Sequence, residues 1–250
     1  MPIEILIKSF LRPECVMRLV NSIRQFYPHI VIRICDDGYL EYCPSAIIYK
    51  LPFYSGLAVG KNYLISLCET PYFVLCDDDF IFTKYTDLKK MLAVISSAND
   101  IAVVGGQISN KKGSIKLGYG HIEVSYNEKQ GRVLTRYYYG KNAPSEMING
   151  INCISCRMLP SFIMGSKEVW KKNNIKWRDE LKRADHIPFY LDLPLNVKCY
   201  SIPDIIIDHR HNTNSAYDKY REDKIYHRMV GERITNYRTI YEDINKMTLL

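Results

Sequence analysis

YFVLCDDDFIF, from Tyr72 to Phe82, decides how the chain is read. A strand-length apolar run stops at three consecutive carboxylates, Asp77, Asp78 and Asp79, and apolar character then resumes. Three like charges beside a buried strand cost free energy, because each repels the others and each resists leaving water. Something must make the arrangement tolerable, and the simplest candidate is a divalent cation. Hard oxygen ligands suit Mg²⁺ or Mn²⁺, and a metal held by one or two carboxylates keeps positions open for phosphate oxygens. A lone D-x-D motif occurs by chance in many proteins. Its position after a buried strand, with a second acidic pair at Asp36 and Asp37, is what gives it weight.

Working outward, strand-like and helix-like patterns alternate. Ile3–Ile7 (IEILI), Val31–Cys35 (VIRIC), the run AIIYKL, Tyr72–Cys76 and Ile101–Gly106 read as strands. Between them, Pro13 opens a helix with Val16, Leu19, Val20, Ile23 and Phe26 on one face, proline being free of cost in a first turn. Gly56–Cys68 and Thr86–Ser97 read as two further helices, the latter with Leu88, Met91, Leu92 and Ile95 on one side. Strands separated by helices imply an α/β fold with a mostly parallel central sheet covered on both faces. In such sheets ligands sit beyond the carboxyl ends of the strands. Ser9 and Phe10, Asp36 and Asp37, and the three aspartates therefore share one rim.

The second half changes character. GHIEVSYNEKQGRVLTRYYYG reads as a hairpin turning near Gly131, and SKEVWKKNN as a short helix. VKCYSI and DIIID read as two strands, the second ending at Asp208 and His209. In RADHIPFYLDL, Pro188 forbids an uninterrupted helix unless it lies in the first turn. The tail from Ser215 is rich in Tyr, Arg and Glu and reads as helical. No repeat or low-complexity linker divides the 250 residues, so a single domain is expected.

Bulk properties narrow the classes. The chain is 47% hydrophobic and 24% charged, an ordinary globular balance. No apolar stretch is long enough to span a bilayer, and MPIEILIKSF lacks the pattern of a signal peptide. The expectation is a cytoplasmic protein. Eight cysteines in such a chain point to buried thiols rather than disulfides; Cys153 and Cys156 form a C-x-x-C with no second pair, a weak metal signal. The net charge of +7 suits an anionic partner, but no motif for reading RNA or DNA is present, so no nucleic-acid partner is expected. The aromatic and basic tail suits either peripheral contact with an anionic membrane face or packing onto the domain.

The order FLRP, SIRQFYP, CDDG, LPFYSGLAVGKN, CDDDFIF, VGG resembles an inverting glycosyltransferase of family two with the Rossmann-like GT-A fold. Within that family it is similar to ganglioside-type N-acetylgalactosaminyltransferase catalytic domains, and IIIDHRH resembles their closing strand. The resemblance spans roughly residues 3 to 211 and implies a nucleotide-sugar-binding half (1–110), an acceptor-binding half (111–212) and a helical tail (213–250). It implies a UDP-sugar donor, Mn²⁺ or Mg²⁺, and a glycan or glycolipid acceptor, with UDP-GalNAc or UDP-GlcNAc the expected donors. Carried over, Ser9 and Phe10 meet the nucleotide, with Phe10 against the uracil ring. Asp37 accepts the uracil N–H, Lys61 helps to hold the nucleotide, Asp77 approaches the ribose and the metal, Asp78 belongs to the nucleotide-binding set, and Asp79 binds the metal directly. His209 completes the metal or diphosphate site, where an imidazole suits Mn²⁺ better than Mg²⁺. Arg210 and His211 meet either phosphate or solvent. The general base that inversion requires falls at Asp185, although Ala184 replaces the expected glutamate; His186 is the substitute and Asp192 a weaker one. Asp179 and Glu180 are expected to pair with nearby lysines. Two other readings stand beside this one: a non-catalytic nucleotide- or carbohydrate-binding module, and a nucleotidyltransferase.

Overall fold

The computed structural model describes residues 1–109, 115–116, 119–127, 131–138, 143–182, 186–211, 214–221 and 238–243. The front half runs β1 (Ile3–Ser9), α1 (Pro13–Phe26), β2 (Val31–Asp36), β3 (Ile47–Lys50), α2 (Leu57–Leu67), β4 (Tyr72–Asp77), β5 (Phe80–Ile81), α3 (Leu88–Ile95) and β6 (Ile101–Ser109). The back half runs β7 (Ile115–Lys116), β8 (Gly120–Asn127), β9 (Gly131–Tyr138), β10 (Ser145–Ile148), β11 (Ile151–Ser155), β12 (Ile163–Ser166), α4 (Lys167–Lys172), α5 (His186–Asp192), β13 (Lys198–His209), α6 (Ser215–Arg221) and β14 (Arg238–Asp243).

Among the described residues the main sheet has the order β10-β11-β13-β6-β12-β4-β1-β2-β3. The parallel arrangement expected from the strand–helix alternation holds across β3-β2-β1-β4. Beyond β4 the sheet becomes mixed, because β12 inserts antiparallel between β4 and β6. The two expected strands VKCYSI and DIIID are one, β13, which runs parallel to β6 and absorbs Pro203 at an irregularity between Ser201 and Ile206. A bulge of this kind lets a strand carry a residue with no N–H to donate.

Side-chain alternation assigns the two faces. Ile3, Ile5 and Ile7 of β1 enter a core with Val16, Leu19, Val20 and Ile23 of α1 and Leu88, Met91, Val94 and Ile95 of α3. Leu6 enters the opposite core, built with Ala58 and Leu64 of α2, Trp170 of α4, and Phe189 and Tyr190 of α5. Phe26, expected on the buried face of α1, is exposed in the last turn. Pro188 sits in the first turn of α5, where the missing N–H costs nothing. The hairpin around Gly131 is present as β8–β9. The tail is helical at α6 and extended at β14, which pairs parallel with β9. The remainder of the expected helical tail lies outside the described residues.

Cys153 belongs to one core and Cys156 to the other, so the C-x-x-C pair packs as two separate small hydrophobes. No helix among the described residues is long and apolar enough to cross a membrane.

Candidate functional site

Register makes the rim. Lys8 lies opposite Asp77 across β1–β4, and Ser9 opposite Asp36 across β1–β2, so three strands end at one level. A cavity of about 250 Å³ opens there, with Phe10, Asp37, Asp77, Asp78, Asp79 and His209 in its wall. The structure thus brings together six of the residues expected from the sequence. Ser9 is buried beneath the rim and does not line the cavity. Lys61 is elsewhere: its ammonium lies 5.0 Å from the centre of the Trp177 ring, and it lines a crevice of about 10 Å³ with His186 and Ser161. Leu75, two residues before Asp77 on β4, lines the same crevice. Asp185 falls outside the described residues. Asp192, the weaker base candidate, is held by the Arg178 guanidinium, which satisfies both of its oxygens. Asp179 accepts a hydrogen bond from Asn62 at 2.8 Å, where a lysine was expected.

Arg12 answers the question posed by the three aspartates. Its Nε donates to Asp78 Oδ2 at 3.3 Å and its Nη2 to Asp78 Oδ1, while Nη1 donates to Asp79 Oδ2 at 2.9 Å. The guanidinium is capped by the Tyr217 ring, 4.2 Å from its centre. Local sequence puts it there. Arg12 is the N-cap residue of α1, with Pro13 fixing the first helical position. Leu11 before it adopts φ 54°, which turns the chain sharply off β1. Lys8, near the end of β1, neutralises Asp37 of the neighbouring acidic pair in the same way. It is buried and pairs with Asp37 Oδ1, while Asp37 Oδ2 accepts from Gly56 N at 2.7 Å. Asp37 is therefore held on both oxygens within the rim.

Strand pairing, rather than sequence proximity, builds the second cluster. β5 pairs antiparallel with β13, setting His209 opposite Phe80, and Arg210 N donates to the Asp79 carbonyl at 2.9 Å. That register carries His209 Nε2 to 3.2 Å from Asp79 Oδ2 and His211 Nδ1 to 3.2 Å from the same oxygen. The carboxylate and the two imidazoles offer ligand atoms within 4.8 Å of one another. One hard oxygen and two borderline nitrogens make a donor set that fits a divalent transition ion such as Mn²⁺ better than Mg²⁺.

Electrostatics divides the aspartates. Burial pushes the Asp78 carboxyl up to about 7; Arg12 opposes the rise, and Asp79 and Asp77 add to it. Burial also works to raise Asp79, but the hydrogen bond with His209 and the charge of Arg12 outweigh it and hold Asp79 below the ordinary carboxylate range. Of these two, Asp79 is the one held ionised, as a metal ligand must be.

Cavity residues given no site role from the sequence include Arg12, Tyr217 and Tyr220. Arg12 carried a legible signal, a cation in the short turn after the first strand and directly before a helix-opening proline. The tyrosines carried none, since α6 reaches the rim only through tertiary packing. Tyr220 packs its ring against Phe10, Phe53 and Tyr54, with centres 5.4, 5.4 and 5.0 Å away.

Comparison with known proteins gives concordant results. The family model described as Glycosyl transferase family 2 matches residues 4–161. Mouse Beta-1,4 N-acetylgalactosaminyltransferase 1 is 27% identical over 219 residues, which cover 83% of this chain and 38% of that protein. The crystal structure of S. aureus TarS 1–349 in complex with UDP superposes with a TM-score of 0.58 at 17% identity, covering 94% of this chain and 66% of that one. The structure of GalNAc-T7 with UDP, GalNAc and Mn²⁺ superposes with a TM-score of 0.59 at 11% identity, covering 85% and 44%. These likenesses identify the fold as GT-A. The chain spans well under half the length of the mouse relative.

Proposed function

The chain belongs to glycosyl transferase family 2, and we propose that it is an inverting, metal-dependent transferase that moves a sugar from a UDP-sugar to a glycan or glycolipid hydroxyl. The observation that carries this reading is the convergence of Asp79, His209 and His211 on one cavity wall, in the same cavity as Phe10 and Asp37. Asp79, His209 and His211 would hold the cation. When bound, the cation supplies Lewis-acid stabilisation of a departing diphosphate.

The chain's own residues account for the rest. Phe10 offers an aromatic face to a base, and the neighbouring rings exclude water from that end of the cavity. Asp37, immobilised by Lys8 and Gly56, is a fixed acceptor for a base or ribose donor group. The acceptor hydroxyl loses its proton to a base from the segment entering α5, Asp185 first and His186 second. The relatives' names favour an N-acetylhexosamine as the sugar moved. The absence of a long apolar helix among the described residues is compatible with the expected cytoplasmic, membrane-peripheral setting.

A panel of UDP-sugars assayed for metal-dependent release of UDP tests the proposal. Asp79→Ala is expected to abolish metal-dependent donor binding. Asp185→Asn is expected to keep UDP binding and lose transfer. UDP binding with no turnover on any donor and acceptor would favour the non-catalytic binding module instead.

A further inference from the structure

The site has an internal competitor for the cation. Asp79 Oδ2 receives three groups at once: Arg12 Nη1 at 2.9 Å, His209 Nε2 at 3.2 Å and His211 Nδ1 at 3.2 Å. This oxygen is the one that faces both imidazoles, so it is the one a metal would take. We propose that Arg12 is a resident counter-ion of the acidic cluster, which yields Asp79 when a divalent cation enters and then presents its freed N–H groups to the donor's diphosphate. The inference rests on the metal-site reading above.

The geometry supports each step. A cation held by Asp79, His209 and His211 would take over both imidazoles, which leaves Arg12 as the partner sharing the oxygen with it. A divalent ion on that oxygen would repel a guanidinium sharing it. Arg12 can leave Asp79 without leaving the site, because Nε and Nη2 both bond Asp78 and Tyr217 caps the planar face. Its backbone cannot follow: Arg12 O accepts from Cys15 N and Val16 N at the start of α1. The movement is therefore a side-chain pivot about Asp78. Arg12 lines the cavity, and a planar fork of donors matches phosphate oxygens. Two consequences follow. Arg12 weakens metal binding to the free protein. It also couples metal and nucleotide, since a diphosphate that accepts the displaced guanidinium offsets the lost contact, and such coupling is reciprocal.

Calorimetric titration of Mn²⁺, with and without saturating UDP, tests this on the wild type, Arg12→Met and Arg12→Gln. Glutamine keeps one N–H for Asp78 and loses the charge, which guards against a variant that fails to fold. In the absence of UDP, both folded variants are expected to bind Mn²⁺ about 10-fold more tightly than the wild type, the scale of one guanidinium contact. The enhancement of Mn²⁺ affinity by UDP is expected to be large in the wild type and to shrink towards one in the variants. Melting of the Arg12→Gln protein should recover with Mn²⁺ more than the wild type does, whereas a purely structural ion pair would lower melting without tightening Mn²⁺. Unchanged or weaker Mn²⁺ binding in Arg12→Gln, with the wild type still binding, overturns the proposal and leaves the metal site standing. A wild type with no Mn²⁺ affinity in either condition overturns both.

Discussion

Lys8 and Asp37 form an ion pair whose side chains are 2% and 1% exposed. Neither charge was obliged to be buried by its neighbours in sequence, since Lys8 ends an apolar strand and Asp37 follows another. Register brings them together, and Gly60 permits it: a Cβ on Gly60 would lie 2.1 Å from Lys8 Cδ. Breaking a buried pair leaves the surviving charge uncompensated, which costs about 3–5 kcal/mol. Lys8→Met is therefore expected to lower the stability of the protein by about that amount in urea unfolding, with the Lys8→Met/Asp37→Leu double variant regaining some of the loss. A loss under about 1 kcal/mol in the single variant would show that Asp37 is adequately held by Gly56 alone.

Between β1 and α1, three residues turn the chain from the sheet into the helix and aim Arg12 inward. Gly38, on the loop after β2, lies against this turn: a Cβ there would sit 2.7 Å from Leu11 N. Backbone cannot retreat as a long side chain can, so the whole turn must shift. Gly38→Ala is expected to leave the circular dichroism of the fold unchanged and to weaken UDP binding by at least about 10-fold, because a displacement near 1 Å at a positioned site costs about that much or more. Wild-type affinity for UDP in a folded Gly38→Ala protein would mean that the turn's position does not set the donor site. The β5–β13 pairing is the other element that makes the site. Two residues of β5 suffice to fix His209 beside Asp79, and Phe80 adds a ring contact with His209 at 5.6 Å.

Over the whole molecule, helices cover both faces of the sheet and every one of the eight cysteines is a buried free thiol. Burial pushes the thiols of Cys35 and Cys199 up to about 12 from an ordinary 9.0. An acid whose value rises on folding favours the fold below its unfolded value, and that contribution is lost as pH climbs from about 9 towards about 12. At pH 8.5 the thiols are protonated and enclosed, so iodoacetamide is expected to label none of the eight in the native protein and all eight in 6 M guanidinium. Rapid native labelling at Cys35 or Cys199 would show that the sheet opens far more readily than its packing implies.

The front half of this protein was written locally. Apolar runs of strand length, helical spacing in Val16, Leu19, Val20 and Ile23, and Pro13 as a helix opener fixed β1 to β4 and their helices, and with them the common rim of Phe10, Asp37 and Asp77–Asp79. Short-range hydrophobic periodicity is a property of neighbouring residues, so it survives in the sequence alone. The antiparallel insertion of β12, the merging of two expected strands into β13, and the arrival of His211, Tyr217 and Tyr220 at the rim were decided only by tertiary structure. The same holds for the neutralisation of the aspartates by Arg12. These depend on pairing register and on which charges share a buried space across 60 to 200 residues of chain, and neither is encoded in the pattern of any one segment.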